Sequence, residues 1–302
     1  MNKPNVSVII PTYNRHDILG DTIAMLLSQD YGNLEVAVVD QTATPFPQRE
    51  EFRGNQSATF EYHWVPRPNL PAARNLGLTL TSGEIVIFLD DDVAIGPDYV
   101  QEVVETYTAD DIGGVCGVTI PEGCPDEASE TIRVANLLGL VEPFKPNGIL
   151  AVRSMMGVNM SFRRCVFARA GLFDEAFIRS GWGEDTELVL RVRKLGYRFL
   201  FNPRARVIHL EPASGGCSNR DVVVRERIVR ERLVFTLYAL MKHAKWHPLD
   251  ALREYWSICR GHALNKAVLR SGGSAIMRRA LEVFSATRQA LAYLMGKRVA
   301  LL

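Results

Sequence analysis

The chain carries three consecutive carboxylates, Asp90, Asp91 and Asp92, directly after an apolar segment. Adjacent carboxylates repel one another at neutral pH, so a nearby cation or solvent must compensate their charge. Hard divalent cations such as Mg²⁺ and Mn²⁺ prefer one or two carboxylates together with phosphate oxygens of a substrate. In an extended segment Asp90 and Asp92 point to one face and Asp91 to the other. The triplet alone fits a metal–diphosphate site and a solvated acidic turn equally well.

A second pair of carboxylates, Glu184 and Asp185, follows the segment Gly181-Trp182-Gly183. The pattern predicts that a helix begins here, and a helix N-terminus favours the ionised form of a carboxylate. Asp185 can then accept a proton from a sugar hydroxyl, and Trp182 offers a flat apolar face to a sugar ring. The same residues also fit simple capping of the helix.

Two further polar residues each end a strand-like segment. Asp40 follows Val38-Val39 and can accept hydrogen bonds from a ribose or a base edge, or cap the next turn. His209 follows Val207-Ile208 and can bind a metal or contact a phosphate, or serve a structural role. Arg15, Arg67 and Arg74 can offset phosphate charge, although ordinary surface arginines look the same in a sequence.

Apolar segments near 6–10, 35–40, 60–65 and 84–89 predict strands, and the segments near 19–27 and 71–80 predict helices. This β-α-β-β-α-β order indicates a doubly wound α/β domain, which binds ligands at the carboxyl ends of its strands. Farther along, strand-like pieces near 113–119 and 149–162 enclose a loop at 121–130. A helix is predicted from Glu184 to Leu195 with Gly196 as its C-terminal glycine. Two short strands are expected at 197–201 and 206–209, and helices from Val222 onward.

The 302 residues carry a formal net charge of +1, which argues against a nucleic-acid partner. Residues 1–220 hold 20 basic and 28 acidic residues, whereas residues 221–302 hold 15 basic and 6 acidic ones. We therefore expect two regions, 1–220 and 221–302. Five cysteines without a C-x-x-C pair indicate a reducing compartment. The N-terminal residues lack the pattern of a signal peptide, and no stretch of about 18 apolar residues occurs. The expectation is a cytoplasmic protein.

An ordered set of motifs resembles family 2 glycosyltransferases over about residues 5–212. The first half of the set comprises Val6 to Arg15, Val38-Val39-Asp40, Ala73-Arg74-Asn75-Leu76-Gly77, and Gly83-Glu84-Ile85-Val86 leading into Leu89-Asp90-Asp91-Asp92. The second half comprises Gly157 to Arg164, Gly171-Leu172-Phe173-Asp174-Glu175, and Gly183-Glu184-Asp185 with Glu187-Leu188 and Arg191. Each motif is moderately specific, whereas their order and spacing together are highly specific.

The resemblance implies a GT-A fold, a Rossmann-like mixed α/β sheet flanked by helices, and an inverting transfer from a nucleoside diphosphate sugar. It implies donor-binding roles for Pro11, Tyr13, Arg15, Asp40, Arg74, Asn75, Asp90 and Asp91. It implies that Asp92, Asp90 and His209 bind Mn²⁺ or Mg²⁺, with Asp185 as general base and Glu184 positioning the base or the acceptor. Trp182, Gly183 and Asn159 are the expected acceptor-binding residues. The donor can be linked to UDP, GDP or dTDP, and the acceptor is expected to be a glycan or a lipid-linked glycan.

Two positions differ from the family pattern. Gln41 follows Asp40 where many relatives have Asp, Asn or Gly, which loosens any inference about the nucleobase. Arg191-Val192-Arg193-Lys194 stands where processive synthases have Q-x-x-R-W, so transfer of a single sugar is expected. The alternatives are a non-catalytic nucleotide-sugar or glycan-binding protein and, with less support, a sugar nucleotidylyltransferase. A nucleotidylyltransferase has a Gly-rich loop after its first strand, whereas this chain has Pro11-Thr12-Tyr13-Asn14 at that place.

The basic C-terminal region repeats apolar residues at helical spacing among arginines, for example Met277, Leu281 and Phe284 beside Arg278 and Arg279. Basic amphipathic helices suit an anionic membrane surface. They suit equally well a helical extension that packs on the catalytic domain or forms a homodimer. The sequence leaves peripheral membrane contact and these alternatives open. A further hypothesis is that Gly215-Gly216 forms a loop that closes over the donor.

Overall fold

A computed structural model describes residues 3–54, 58–144, 148–178, 182–210, 222–244 and 248–296. The chain divides into two compact units. The first comprises residues 1–179 and 184–217, and the second comprises residues 180–183 and 218–302. The sequence-based boundary at 220/221 lies outside the described residues, as does the Gly215-Gly216 loop.

The first unit is built on a nine-stranded mixed sheet in the order β3-β2-β1-β4-β8-β6-β9-β5, with β7 paired to β9. The strands are β1 (Val6–Thr12), β2 (Leu34–Asp40), β3 (Thr59–Trp64), β4 (Ile85–Leu89), β5 (Val93–Ile95), β6 (Ile112–Pro121), β7 (Leu150–Val152), β8 (Asn159–Arg163) and β9 (Arg198–His209). The helices are α1 (His16–Leu27), α2 (Leu70–Leu80), α3 (Tyr99–Glu105), α4 (Glu127–Leu137), α5 (Cys165–Ala170) and α6 (Glu184–Lys194), with a 3₁₀ helix at Pro47–Phe52.

Both faces of the sheet are covered, which explains the uninterrupted apolar character of the central strands. Val8 and Ile10 of β1 belong to a core cluster that includes the buried residues of α1. Ile9, on the opposite face, belongs to a second cluster with residues of α2 and α6. Phe88 and Phe162 lie in the second cluster with their ring centroids 6.2 Å apart. The expected α/β architecture of the first unit is confirmed.

Strand direction brings the polar strand ends to one edge of the sheet. β1, β2 and β4 run parallel, so Thr12, Asp40 and Leu89 end at the same edge. β8 is antiparallel to β4 and begins at that edge, where Asn159 pairs with Leu89. β9 runs parallel to β6, which is antiparallel to β8, so His209 also ends there.

Two elements differ from the sequence-based expectation. The loop expected at 121–130 contains the start of α4, where Asp126 caps the helix by accepting a hydrogen bond from Ser129 N at 3.0 Å. The two strands expected at 197–201 and 206–209 are one strand, β9. Its register against β6 shifts between Gly117 and Val118, which pair with Asn202 and Arg206. This irregularity accommodates Pro203, which cannot donate to the sheet.

The second unit is helical, as expected, with α7 (Val222–His243), α8 (Pro248–Ala263), α9 (Lys266–Arg270) and α10 (Gly273–Leu294). The ring of Tyr293 on α10 packs against those of Phe235 and Tyr238 on α7, at centroid distances of 5.7 and 6.0 Å. None of the described helices combines the length and the hydropathy needed to cross a bilayer.

The irregularity between β6 and β9 yields a stability prediction. A Cβ added at Gly117 would lie 1.7 Å from the backbone oxygen of Ala205, so Gly117→Ala forces the two strands apart. We expect a loss of about 1–3 kcal/mol or more in the free energy of unfolding, measured by denaturant titration. Gly32→Ala is the control, because no atom lies within 4 Å of its added Cβ. Equal stability of the two variants would contradict the close approach.

Candidate active site

The aspartate triplet occupies the bend between β4 and β5. Pairing of Val93 with His209 joins β5 to the end of β9, and Leu210 N donates to the backbone oxygen of Asp92 at 2.9 Å. Asp90, Asp92 and His209 can each offer one ligand atom, and these atoms lie within 4.8 Å of one another. The pairing thus unites the three residues that the sequence suggested as metal ligands.

Asp92 is fully buried, and neither of its carboxylate oxygens accepts a hydrogen bond from the described residues. Oδ2 nevertheless lies 2.7 Å from Nη1 of Arg15 and 3.2 Å from Nε2 of His209, without hydrogen-bond geometry. A buried carboxylate lacking hydrogen bonds is costly unless a cation compensates it. Two carboxylates and an imidazole are also a suitable donor set for a divalent ion. The residues therefore fit a divalent metal.

Asp91 is buried beside this cluster and has hydrogen-bond partners of its own. It accepts hydrogen bonds from Thr12 Oγ1 at 2.6 Å and from Arg15 Nη1 at 2.9 Å. Burial raises the pKa of Asp91 to about 7, although the Arg15 charge opposes that rise. Burial also raises the pKa of Asp90. Arg15 is thus the protein's own compensating cation, and it links the β1 loop to the triplet.

Asp40, the expected donor-binding residue at the end of β2, is fully buried and serves as a hydrogen-bond acceptor for three groups. Oδ2 accepts from Tyr62 Oη at 2.5 Å and pairs with His16 Nε2 at 2.7 Å, whereas Oδ1 accepts from Thr42 N at 2.8 Å. The side chain of His16 is 20% exposed, so it forms the outer part of this group. Sequence reasoning missed His16 and Tyr62. The register of Val38 opposite Tyr62 brings the tyrosine into reach of Asp40.

Arg74 connects the triplet to the Glu184–Asp185 pair. This arginine of α2 is 1% exposed, forms an ion pair with Glu184 Oε1, and lies 3.9 Å from Oδ1 of Asp90. Its Nη2 also donates to the backbone oxygen of Gly157 at 3.1 Å. Burial and the neighbouring Asp185 raise the pKa of Glu184, and the charge of Arg74 opposes that rise and favours the ionised carboxylate. One buried cation thus serves carboxylates from two motifs.

Asp185 lies in the first turn of α6 and is partly exposed. Its Oδ2 accepts a hydrogen bond from Gly157 N at 2.9 Å, and its Oδ1 accepts one from Thr186 N at 2.6 Å. Burial raises the pKa of Asp185, although these backbone hydrogen bonds oppose the rise. A carboxylate with a raised pKa is a stronger proton acceptor when ionised. Two fixed N–H groups hold it in one orientation.

The other expected donor-binding residues have different surroundings. Pro11 is buried in β1, and Tyr13 is partly exposed beyond its end. Asn75 is buried; its Nδ2 donates to Phe173 O at 2.9 Å, and its Oδ1 accepts from Phe173 N at 2.9 Å. These bonds hold α2 to the segment that precedes α6. Donor binding by these residues stays a prediction.

The expected acceptor-binding residues divide between the units. Asn159 is buried in the sheet, where its amide nitrogen donates to backbone oxygens of Val118 and Ala205 and its oxygen accepts from Tyr99 Oη. Because Asn159 is buried and uses its amide group within the fold, it has no exposed polar group to offer an acceptor. Trp182 and Gly183 belong to the second unit. The ring of Trp182 is 45% exposed and carries the Arg232 guanidinium 3.7 Å from its centroid.

The family model described as glycosyl transferase family 2 matches residues 7–164. O-antigen biosynthesis protein RfbC of Myxococcus xanthus is 30% identical over 230 residues, which cover 70% of this chain and 18% of that protein. Glucosyl-dolichyl phosphate glucuronosyltransferase of Haloferax volcanii is 28% identical over 216 residues, 68% of each chain. Chondroitin synthase of Escherichia coli is 30% identical over 244 residues, 68% of this chain and 35% of the synthase. The chain thus spans only part of these relatives.

Two solved structures share the fold. Mannosyltransferase PcManGT from Pyrobaculum calidifontis, in complex with GDP-Man and Mn²⁺, superposes with a TM-score of 0.59 at 19% identity, covering 99% of this chain and 89% of that one. GalNAc-T7 with UDP, GalNAc and Mn²⁺ superposes with a TM-score of 0.58 at 17% identity, covering 78% of this chain and 50% of that one. Both are GT-A glycosyltransferases, so the expected GT-A fold is confirmed.

The buried pair of Arg74 and Glu184 yields a second prediction. Arg74→Met leaves the carboxylate of Glu184 buried without its cation, and we expect a loss of about 3–5 kcal/mol in the free energy of unfolding. Arg74→Met combined with Glu184→Met should recover most of that loss, because the Glu184 carboxylate is removed together with its cation and only the longer contact of Arg74 with Asp90 and the hydrogen bond to Gly157 stay lost.

The matched control is Arg198→Met, which breaks the exposed pair of Arg198 with Asp111, whose side chains are 48% and 55% exposed. An exposed pair contributes about 0–1 kcal/mol. Denaturant titration of the three variants and the wild type measures each difference. Similar losses for Arg74→Met and Arg198→Met would contradict a buried, essential ion pair.

Proposed function

Because this chain belongs to glycosyltransferase family 2, we propose that it transfers one sugar from a nucleoside diphosphate sugar to an acceptor hydroxyl, with inversion at the anomeric carbon. The observation that carries the proposal is the network around Arg74. It joins a carboxylate cluster suited to a metal diphosphate with a carboxylate pair suited to general-base chemistry. A transferase of this kind needs both within reach of one sugar.

Asp90, Asp92 and His209 would hold the divalent ion, Mn²⁺ or Mg²⁺. When bound, this ion offsets the negative charge of the leaving nucleoside diphosphate. Arg15 adds a positive charge beside Asp91 and Asp92, so the ion would not be the sole compensation of the negative charge at this site. The relatives of known structure contain GDP-Man or UDP with Mn²⁺. They support a donor linked to GDP or UDP, and a dTDP-linked donor is the further alternative.

Asp185 would take the proton of the acceptor hydroxyl while that oxygen attacks the anomeric carbon opposite the diphosphate. General-base assistance contributes about 10²–10⁴-fold to the rate. The hydrogen bonds from Gly157 N and Thr186 N support this role, because they fix the carboxylate before the acceptor arrives. Glu184, held by Arg74, would act as a positioning residue for Asp185.

A glycan or a lipid-linked glycan is the proposed acceptor. RfbC is named for O-antigen biosynthesis and the Haloferax volcanii protein for transfer to a glucosyl-dolichyl phosphate, which supports an acceptor of this class. Trp182 and Gly183, which directly precede Glu184 in the sequence, remain the proposed acceptor contacts. We further propose a cytoplasmic enzyme at the inner face of the membrane, with a homodimer as the competing arrangement of its helical region.

The donor site is tested by thermal unfolding with UDP, GDP, dTDP and CDP, each with and without Mn²⁺. A nucleotide at one hundred times its Kd should stabilise the protein by about 2.7 kcal/mol. We expect one nucleotide to do so only with Mn²⁺, and Asp92→Ala to abolish the effect. Asp21→Ala, on the exposed side of α1, is the control. A shift that survives Asp92→Ala, or none with any nucleotide, would falsify this assignment of the donor site.

The general base is tested by Asp185→Asn, which keeps the shape of the side chain and removes the proton acceptor. We expect kcat to fall about 10²–10⁴-fold while the donor-induced thermal shift remains. Since only ionised Asp185 accepts a proton, wild-type kcat should rise with pH. Burial raises the pKa of Asp185, so that rise should lie above the ordinary aspartate range near 4.

The rising limb should disappear in Asp185→Asn and persist in Asp21→Asn. Kinetics from about pH 4 to 9 measure both profiles. A variant that retains half of the wild-type kcat would show that another group accepts the proton.

A further inference from the structure

Helix α10 has two apolar faces, whereas packing within its unit uses only one. The inner face comprises the buried residues Val283, Ala286, Ala290 and Tyr293. The outer face comprises Met277, Leu281, Phe284, Leu291 and Met295, whose exposed fractions are 63%, 60%, 63%, 46% and 65%. The spacings of four, three, seven and four residues place these five side chains along one side of the helix axis. We call them the α10 outer face.

Helix α8 shows a shorter version of the same pattern. Leu249, Leu252 and Trp256 are 77%, 55% and 65% exposed and recur at spacings of three and four residues. Twelve of the 22 exposed large hydrophobic residues among the described parts of the chain lie on α7 to α10 or at their ends. Contiguous exposed apolar side chains mark an interaction surface. Their concentration in one unit indicates that this unit meets a partner.

A groove adjoins the α10 outer face. It has a volume of about 580 Å³, and Met277 and Leu281 line it together with Leu233 and Val234 of α7. Arg230, Arg278, Glu231 and Glu282 line it as well. Both arginines are exposed, whereas Glu231 is 2% exposed and Glu282 pairs with Arg279 and His262, so the exposed charged side chains of the groove are the two arginines. Such a groove suits a molecule that has an apolar chain and an anionic group.

The charge of the unit restricts the choice of partner. Residues 221–302 hold 15 basic and 6 acidic residues, a net charge of +9. The sole acidic residue within α10, Glu282, pairs with Arg279 at 2.7 Å and with His262 at 2.9 Å. Arg288 lies one turn from both Phe284 and Leu291, so a cationic side chain lies among the residues of the α10 outer face. The partner should therefore be apolar and anionic.

We propose that the α10 outer face, with the apolar face of α8, docks the protein on an anionic membrane surface. A basic amphipathic helix lies in such an interface with its apolar side chains among the acyl chains and its arginines at the headgroups. Trp256 would lie at the level of the headgroups, since tryptophan favours the membrane–water interface. A second copy of the chain is a poorer occupant, because it would bring a second +9 unit against the first.

The proposal concerns the second unit alone and goes beyond the proposed transfer reaction. Docking of this kind would hold the enzyme where lipid-linked acceptors are found. It would also make the association sensitive to ionic strength, because headgroup attraction is screened by salt.

Sedimentation of the full-length protein with vesicles tests the proposal. The vesicles contain either phosphatidylcholine alone or phosphatidylcholine and phosphatidylglycerol in equal parts. We expect about tenfold or stronger partitioning to the anionic vesicles, and its loss at high salt. Leu281→Gln combined with Phe284→Gln should reduce that partitioning by about tenfold or more, since two apolar side chains no longer leave water.

Leu137→Gln is the matched control, because Leu137 is also 63% exposed but belongs to α4 of the first unit. It should partition as the wild type does. Equal partitioning of the double variant and the wild type would overturn the proposal, as would equal binding to both vesicle types. Light scattering tests the competing occupant. If the wild type forms a dimer and binds no vesicles, and the double variant is monomeric, the face belongs to an interface with a second copy of the chain.

The donor-induced thermal shift of the double variant separates this proposal from the proposed function. Wild-type vesicle binding without any nucleotide-induced shift would leave the docking surface intact and remove the transferase assignment of the site. A nucleotide-induced shift in a wild-type protein that binds no vesicles would retain the transferase assignment and overturn the docking proposal.

Discussion

The arrangement of the site depends on the interactions of the buried Arg74 side chain. The guanidinium of Arg74 is 1% exposed, and Glu184, the backbone oxygen of Gly157 and, at 3.9 Å, Asp90 offset the cost of its burial, whereas its Nε has no hydrogen-bond partner among the described residues. Those partners come from α6, from the segment before β8 and from the bend after β4. Asn75, one residue along α2, fixes the segment around Phe173 through a pair of hydrogen bonds. α2 therefore acts as the common support of two motifs that are far apart in sequence.

The balance of charge at the sheet edge follows from the same constraint. Asp90, Asp91 and Asp92 repel one another; Arg15 compensates Asp91 and Asp92, and Arg74 compensates Asp90. Asp92 nevertheless keeps two oxygens that accept no hydrogen bond from the described residues. The fold thus compensates part of the negative charge, and Asp92 can still serve with Asp90 and His209 as a ligand of a divalent ion.

The parts of this structure that could be predicted from the sequence are those with local signals. Apolar segments ended by polar residues located β1, β2 and β4, and the ordered motifs indicated the fold and the family. The parts that could not be predicted depend on long-range register. Tyr62 reaches Asp40 only because Val38 lies opposite it, and the burial of Arg74 has no local signal at all.

Local signals also misled where tertiary pairing dominates. Pro203 interrupts the apolar pattern of residues 198–209, which favoured two short strands, yet pairing with β6 on both sides of the irregularity makes β9 continuous. In the loop expected at 121–130, glycine and proline obscured the capping residue Asp126, whose side chain begins α4.

The pairing of Val93 with His209 has a consequence for biosynthesis. Strands β1 to β4 are complete by residue 89, but His209 joins the aspartates only after more than one hundred further residues have been made. Chains emerge from the ribosome N-terminus first and fold as they appear. A nascent chain that has formed the first half of the sheet therefore has the aspartate triplet without its third partner. Completion of the Asp90–Asp92–His209 cluster is thereby delayed until nearly the whole first unit has been synthesised.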